Sequence, residues 1–525
     1  MPQDILRTVQ ALLWASGLAA DETSLHDADH DLFIEALTRH KIAGRFLNRV
    51  EKEPDVRIPG DLTQRVKEIY HEAVSGADRL DRDAAWLAEN IVRHPKWDGR
   101  PLVLLKGNAA SHYLSLPRAR RSSSDLDLLI SEPKRYQAII EEFGYSESWL
   151  NFCHEQAVLG HHERSWVDLH EYFPIWRYPT VPYHAVSNGY DMRMTDWVSG
   201  GRLEYETVLE TSRVHPGVAI PEVRVPDATM TAFIICLHIF HDYVAPALVQ
   251  SLAKVRLIEL CELSDLACGD DFAVDRFAHL VLSHRATDAV ALSLRLLRTL
   301  GFPMGGLAKV DVPEPATYPQ EIGFGLLIDV RTPVADLLVR SDSFGRIFEL
   351  IKPTDIRLSQ GAEISTRSAR DQAEGGPPAV FRSTPTAHPD GDFDFDCSIR
   401  ESDGLVVFDM TAFGRPGAFF DEFVLFFGNE IVHAAYDVYR EGFRNPPPES
   451  GCDATWHLND ESWRVVVRVP HAMLVRHRAG DGRVRAILQA GRFLEPLNNS
   501  WTDFYRRSVS SACLPLRIHL ADTGQ

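Results

Sequence analysis

The run Asp125-Leu126-Asp127-Leu128-Leu129-Ile130 alternates acid and leucine and then turns wholly apolar. Such a run reads as a β-strand entering a core, because successive side chains of a strand point to opposite faces. Asp125 and Asp127 then share one face, with Leu126 and Leu128 buried on the other. Two carboxylates held so close repel one another unless a cation lies between them. Magnesium is the natural one, since it takes oxygen ligands and is commonly shared with substrate phosphates.

The surroundings make this strand part of an α/β unit. Residues 101–107, PLVLLKG, read as a short strand stopped by Gly107, and 108–114, NAASHYL, as a short helix. Pro117 and the polar run 118–124, RARRSSS, form a loop. A helix follows over 133–145, with Pro133 in its first turn and Gly144 near its end. Residues 165–172, SWVDLHEY, are a further strand. Asp168 on it is the best candidate for a third carboxylate, which would complete a two-metal site. A glycine between strand and helix lets a phosphate approach the backbone, and the helix N-terminus offers free N–H groups and a favourable dipole. Asn108 could add a side-chain amide, and Lys106, Arg118, Arg120 and Arg121 lie near the expected phosphates. His170, two residues beyond Asp168, is a further candidate for the same cleft.

The remaining chain divides by texture. With 525 residues it is too long for one ordinary core. Residues 1–98 read as a helical N-terminal region, with Phe33, Ile34, Leu37, Ile42, Phe46, Leu47 and Val50 near helical spacing and a second helix around 78–94. Residues 99–205 are the α/β core, and 206–310 a helical bundle in which Met230, Phe233, Ile234, Leu237 and Phe240 line one face. Residues 311–380 read as an irregular linker, the Gly-, Pro-, Ser- and Thr-rich texture running from 352 to about 392. Residues 381–525 hold short strand-like runs between turn signals and suggest an all-β sandwich. The fold expected is therefore α+β and multidomain.

Charge and cysteine content narrow the partners. The formal net charge is −19, which disfavours bulk nucleic acid, because phosphate contacts need clustered Lys and Arg. No apolar run approaches the roughly 18 residues of a membrane span. Residues 11–20 look faintly like a secretory segment, but Asp4 and Arg7 cancel, and Ile5, Leu6, Val9, Leu12 and Leu13 fit one face of an ordinary helix. The seven scattered cysteines form no CxxC pair and suit reduced thiols in a cytoplasmic protein.

The motifs Leu105-Lys106-Gly107, an arginine, Ser124-Asp125-Leu126-Asp127-Leu128-Leu129 and Val167-Asp168-Leu169-His170 together resemble a bacterial nucleotidyltransferase family of the polymerase-β superfamily. The resemblance covers about 1–305, including the helical region that holds His238 and Asp265. It implies a polymerase-β-like core in which Lys106, Gly107, Asn108, Arg121 and Ser124 surround the nucleotide. Asp125, Asp127 and Asp168 would be the catalytic acids and the ligands of two Mg²⁺ ions, with Mn²⁺ as the alternative metal. The reaction implied is transfer of a nucleoside monophosphate from an NTP, with ATP expected, to a hydroxyl on a small-molecule, sugar-containing or protein acceptor. The superfamily commonly has Ser or Thr after the glycine where this chain has Asn108, and the link from Asn108 to Asp125 is long. A metal-dependent sugar-nucleotide glycosyltransferase and a catalytically degenerate nucleotide-binding scaffold are the alternatives.

The C-terminal runs Phe420–Phe427, Trp463–Pro470, Gly491–Phe493 and Asn499–Trp501 loosely resemble a family-9-like carbohydrate-binding sandwich. Trp456, Trp463, Trp501 and Tyr505 are then candidates for stacking on sugars, with a core position the safer expectation for any one of them. Asp392, Asp394 and Asp396 also alternate but follow no phosphate turn, so a solvated strand face is expected there rather than a Ca²⁺ site. His238 and His241 are three apart on a helix with no third ligand evident, and read as a core or surface pair.

Overall fold

Alternating leucines decide which way the central sheet faces. The structure, a computed structural model, describes residues 3–18, 24–56, 58–110, 113, 121, 123, 125–147, 155–177, 183–187, 190–195, 198–218, 220–244, 255–313, 318–321, 327–330, 353–365, 381–383, 394–413, 420–427, 430–437, 442–446, 450–459, 461–478, 481–493 and 509–520.

The N-terminal helices are α1 (Gln3–Ala15), α2 (Ser24–Asp27), α3 (His30–Arg39), α4 (Ala43–Lys52) and α5 (Gly60–Arg93). Trp14, Phe33 and Phe46 are fully buried among them, and the Trp14 and Phe46 rings meet edge to face at 5.9 Å. Asp29 caps α3 by accepting the N–H groups of Asp31 and Leu32. The helical pattern over 31–50 is broken between α3 and α4, where Lys41 takes a left-handed backbone conformation at φ 56°. The helix expected at 78–94 is the second half of α5. That helix has 34 residues, roughly 51 Å by its rise. Its early residues Leu62 and Val66 join the N-terminal core, while Leu80, Leu87 and Ile91 pack under the sheet.

The sheet is built from β1 (Leu102–Leu104), β2 (Asp125–Leu129), β3 (Ser146–Glu147), β4 (Glu155–Gly160) and β5 (Trp166–His170), with α6 (Lys106–Ala110) and α7 (Pro133–Glu141) between strands. Beyond them come β6 (Tyr172–Arg177), β7 (Tyr183–Ser187), β8 (Tyr190–Thr195), β9 (Val198–Glu204), α8 (Tyr205–Glu210), β10 (Ser212–Val214) and β11 (Val223–Pro226). The strand order is β10-β11-β1-β2-β5-β4-β3, with β2 antiparallel to β1 and parallel to β5. β10 and β11 thus extend the α/β sheet past residue 205, into the first part of the span assigned to the helical bundle. β6 pairs with β9, and the β7-β8 hairpin is extended by β13 (Leu327–Val330) and β12 (Tyr318–Glu321) from the expected linker.

The helices that follow are α9 (Ala228–Val244), α10 (Leu257–Cys268), α11 (Val274–Ser283) and α12 (Thr287–Leu300). The five α9 residues expected on one face are all buried, but so are Ala232, Ile235, Cys236 and Ile239. This helix is enclosed over most of its length, and its titratable residues His238, His241 and Asp242 gather toward its C-terminal end. Leu126 and Leu128 share a core with α5 and α7, whereas Val103, Leu105 and Leu129 share one with α9 and α10. Strand alternation therefore turns the acidic face of β2 toward α9 and α10. Among the described residues, no helix is long and apolar enough to cross a membrane.

The C-terminal strands form two sheets around one apolar core. One runs β14 (Thr354–Arg357), β25 (Val509–His519), β24 (Arg483–Phe493), β19 (Phe420–Phe427), β20 (Glu430–Asp437) and β21 (Gly442–Arg444), with β16 (Phe381–Ser383) also on β25. The other runs β15 (Ala362–Ser365), β17 (Phe395–Ser402), β18 (Leu405–Phe413), β23 (Ser462–Pro470) and β22 (Asp453–Leu458). Phe395, Phe408, Phe423, Leu425 and Val467 fill the space between them. Residues 354–365 are therefore part of this sandwich, not the linker expected over 311–380. β14 and β15 are edge strands that each bury one isoleucine, Ile356 and Ile364, and so carry no readable alternation. Trp456 and Trp463 are buried in the core, while Trp501 and Tyr505 lie outside the described residues, as does Asp392. Asp394 is buried rather than solvated, and Asp396 is half-buried. Cys236, Cys261, Cys268, Cys397 and Cys452 are free thiols.

Candidate active site

The parallel pairing of β2 and β5 sets Asp127 beside Asp168 and Leu129 beside His170. Asp127, Asp168 and His170 are buried, and one ligand atom from each lies within 4.8 Å of the others. Asp125 stands two residues earlier on the same face, half-buried, where the Ser123 hydroxyl donates to its Oδ1 at 2.8 Å. The three acids named from the sequence thus line one face, but the tight group is Asp127, Asp168 and His170, with Asp125 at its rim.

Lys106 enters from the end of β1. The Leu105 N–H bonds the Asp127 carbonyl at 3.0 Å, and Lys106 then turns into α6 through a left-handed backbone, φ 56°. Its Nζ donates to Asp127 Oδ1 at 2.6 Å and lies over the Phe173 ring, 5.8 Å from its centroid. His170 Nε2 is 3.0 Å from the same oxygen. Among the described residues both contacts fall on Oδ1, which leaves Oδ2 for a further cation. Burial alone would raise the Asp127 pKa, but Lys106 and His170 outweigh it and hold the carboxyl well below its usual range. Burial would lower the Lys106 pKa, yet Asp127 and Asp125 hold its ammonium above the ordinary value. His170 is lowered, chiefly by burial, so its imidazole is neutral and Nε2–H donates to Asp127. Buried carboxylates beside an imidazole suit a divalent cation, and the donor set fits magnesium or manganese.

Gly107 lies inside the first turn of α6 instead of before it, and its glycine identity has a local cause. A Cβ built there would sit 2.7 Å from both Cζ and Nη2 of Arg121. Arg121 is pinned in place by Glu262 of α10, with Nε donating to Oε1 at 2.7 Å and Nη2 to Oε2 at 3.3 Å. Both side chains are nearly sealed from solvent, 8% and 0% exposed. Burial opposes the Arg121 charge, and Glu262 more than restores it. This arginine, named from the sequence for phosphate binding, is thus tied to Glu262 of α10, with its guanidinium against Gly107 of α6. The side chain of Asn108, and all of Ser124, Arg118 and Arg120, lie outside the described residues.

Helices α9 and α10 carry a second polar group opposite the acids. His238 and His241 are not a bare pair. His238 Nδ1 is 3.1 Å from Glu259 Oε1, and its Nε2 is 3.8 Å from Asp242 Oδ1. Arg256 forks between the same acids, at 3.1 Å from Asp242 Oδ2 and 3.4 Å from Glu259 Oε1. The spacing of His238 and Asp242, four apart on one helix, is readable in the sequence; Glu259 and Arg256 come from the next helix and are not. His238, Asp242 and Glu259 could also hold a metal by their geometry, but Arg256 already supplies the positive charge that a metal would bring. Burial would raise the pKa of both acids, and His238 and Arg256 override it, drawing Asp242 well below the usual range and Glu259 down to about 2. His241 is lowered by burial. Asp265, further along α10, turns away to pair with Arg45 of α4.

Comparison with known proteins adds three findings. A family model described as uncharacterised nucleotidyltransferase matches residues 26–301. No curated protein matches the chain. Among solved structures, the chain is similar to a carbohydrate binding module of family 9 from Caldicellulosiruptor kristjanssonii in complex with cellotriose. The identity is 8% and the TM-score 0.21, over 33% of this chain and 97% of that one, a likeness too distant to bear on function.

Proposed function

The chain belongs to the uncharacterised nucleotidyltransferase family, which spans more than half its length, and on that premise we propose that it transfers a nucleoside monophosphate from an NTP to an acceptor hydroxyl. The observation that carries this reading is the register of β2 and β5, which sets two buried carboxylates, Asp127 and Asp168, side by side. Asp125, Asp127 and Asp168 would hold the divalent cations. Bound there, magnesium or manganese supplies Lewis acidity that favours the alkoxide and offsets triphosphate charge.

The chain's own groups do the rest. Asp168 accepts the proton of the acceptor hydroxyl. The hydroxyl oxygen bonds the α-phosphorus as the bond from that phosphorus to the α–β bridging oxygen breaks, and pyrophosphate departs. Lys106 brings an ammonium to the place where negative charge arrives. Neutral His170 donates to Asp127 Oδ1 and fixes that carboxylate's orientation. Arg121, sealed behind Gly107 by Glu262, positions α6 instead of touching the nucleotide.

Titration of ATP, GTP, CTP and UTP with Mg²⁺ into the wild type and Asp127→Ala, read by calorimetry, tests this reading. Metal-dependent binding of a nucleotide that the variant loses is the expected result, followed by pyrophosphate release in an acceptor screen that spans sugars, small molecules and proteins. Binding without release for every acceptor would indicate a scaffold. Turnover of a UDP-sugar in place of NTP would indicate a glycosyltransferase.

A further inference from the structure

The register that joins Asp127 to Asp168 also sets Trp166 beside Asp125. Val167 and Leu169 lie in the core shared with α5 and α7, as do Leu126 and Leu128. Strand alternation therefore turns Trp166 to the opposite side, the side of Asp168. It stands two residues before that acid, roughly 7 Å along the strand. Asp168 is buried, yet Trp166 is 44% exposed. A tryptophan is seldom left so open, and this one is open on the face that carries the acids.

The support beneath it is firm. Ser165, the preceding residue, donates its N–H and its hydroxyl to Asp83 Oδ2 at 2.9 and 2.8 Å. Arg164 donates to Oδ1 of the same carboxylate at 3.0 Å. Asp83 is buried on α5, so the turn from β4 into β5 is tied to the long helix under the sheet. Leu159 of β4 pairs with Val167, which brings Gly160 opposite Trp166. A Cβ built on Gly160 would lie 3.8 Å from Cε2 and Cζ2 of the indole. The ring therefore reaches across β4, away from Asp125 and the strand that bears it.

The sheet order says which substrate meets this ring. Lys106 follows β1, on one side of β2, and Asp168 and Trp166 lie on the other side, on β5. In the nucleotidyltransferase reading Lys106 attends the phosphates, and Asp168 takes the proton of the acceptor hydroxyl. The indole thus lies on the acceptor's side, one sugar ring's span from the group that deprotonates it. A fixed, open indole favours a ligand with a flat apolar face. A sugar ring brings its C–H face to the indole and its hydroxyls to the acids at the same time, which an aliphatic alcohol or a serine side chain does not.

We propose that Trp166 is the platform on which the acceptor stacks, and that the acceptor hydroxyl is carried on a sugar ring. This rests on the nucleotidyltransferase reading and adds to it a substrate class and a residue that selects it.

Wild type, Trp166→Ala and Trp166→Phe are compared with Mg²⁺ present, and thermal melting checks the fold. Calorimetry measures the affinity for α,β-methylene ATP. Saturation-transfer NMR on the analogue-loaded proteins measures the affinity for the methyl glycosides of glucose, galactose and mannose. The expected result is a glycoside that Trp166→Ala binds roughly tenfold more weakly than wild type. Trp166→Phe keeps most of that affinity, and all three proteins bind the ATP analogue equally. Equal glycoside affinity in wild type and Trp166→Ala overturns the inference alone, as does a wild type that binds the analogue but none of the glycosides. An analogue weakened by Trp166→Ala and restored by Trp166→Phe would put the nucleobase on the indole and also overturns it. A wild type that does not bind the analogue overturns the nucleotidyltransferase reading, and this platform with it.

Discussion

The guanidinium of Arg121 fills the space that a side chain on residue 107 would need, 2.7 Å from where its Cβ would lie. Gly107 and Arg121 are therefore a matched pair, and Glu262 locks the match by a two-point ion pair. The glycine that reads as a phosphate turn in the sequence also leaves room for a buried arginine.

Gly107→Ala should push Arg121 off Glu262. Breaking a buried ion pair costs about 3–5 kcal/mol, so calorimetry should show the melting temperature down by several degrees, with nucleotide binding impaired as α6 shifts. An unchanged melting temperature would mean that Arg121 can step aside without leaving Glu262.

Lys106→Met should sharpen the protein's response to metal. The ammonium now bonded to Asp127 stands in for part of a cation's charge among the acids. Without it, the metal-free variant should be less stable by about 3–5 kcal/mol, because a buried carboxylate loses its charged partner and keeps only His170. Millimolar Mg²⁺ should then raise its melting temperature more than that of wild type, since binding stabilises the state that binds. Equal rises in the two proteins would show that Lys106 and the metal do not compete for Asp127.

Acid should dissolve the network on α9 and α10 in a defined window. Burial would raise the Glu259 pKa, but His238 and Arg256 draw it from 4.5 down to about 2. A carboxyl depressed in the folded state contributes stability above its unfolded pKa, and that contribution fades as pH falls toward the folded value. Glu259→Gln lacks this contribution. The gap in melting temperature between wild type and Glu259→Gln should be full at pH 6 and narrow steadily below 4.5. A gap of constant size from pH 6 to pH 3 would rule out the ionised pairing.

In the C-terminal sandwich, Trp463 is fully buried, whereas Phe443, stacked on Trp456 at 6.2 Å, is 52% exposed. Trp463→Ala should cost about 3–5 kcal/mol by opening a cavity. Phe443→Ala should cost less than about 1 kcal/mol, because an exposed ring gives up little buried area. Urea unfolding of the two variants measures the difference. Similar midpoints would contradict the core position of Trp463.

Features within a few residues of one another are legible in the amino acids themselves. The two-residue period of DLDLLI marks β2 and its two faces, Pro133 and Gly144 bracket α7 within three residues, and the Val-Asp-Leu-His run marks β5. Period and punctuation are local properties of a chain, so local residues reveal them. The register that sets Asp127 beside Asp168 depends on how two strands 41 positions apart pair, and no local pattern contains it. The same holds for Arg121 against Glu262 and for His238 against Glu259. Each joins charges from different elements, whose partners are chosen by packing of apolar faces rather than by sequence distance. Short edge strands such as β14 and β15 escape a reading of periodicity for a related reason. Each buries one isoleucine, and one apolar residue has no period. The amino acids alone thus named the acids and the strands that bear them, and folding chose which charges meet.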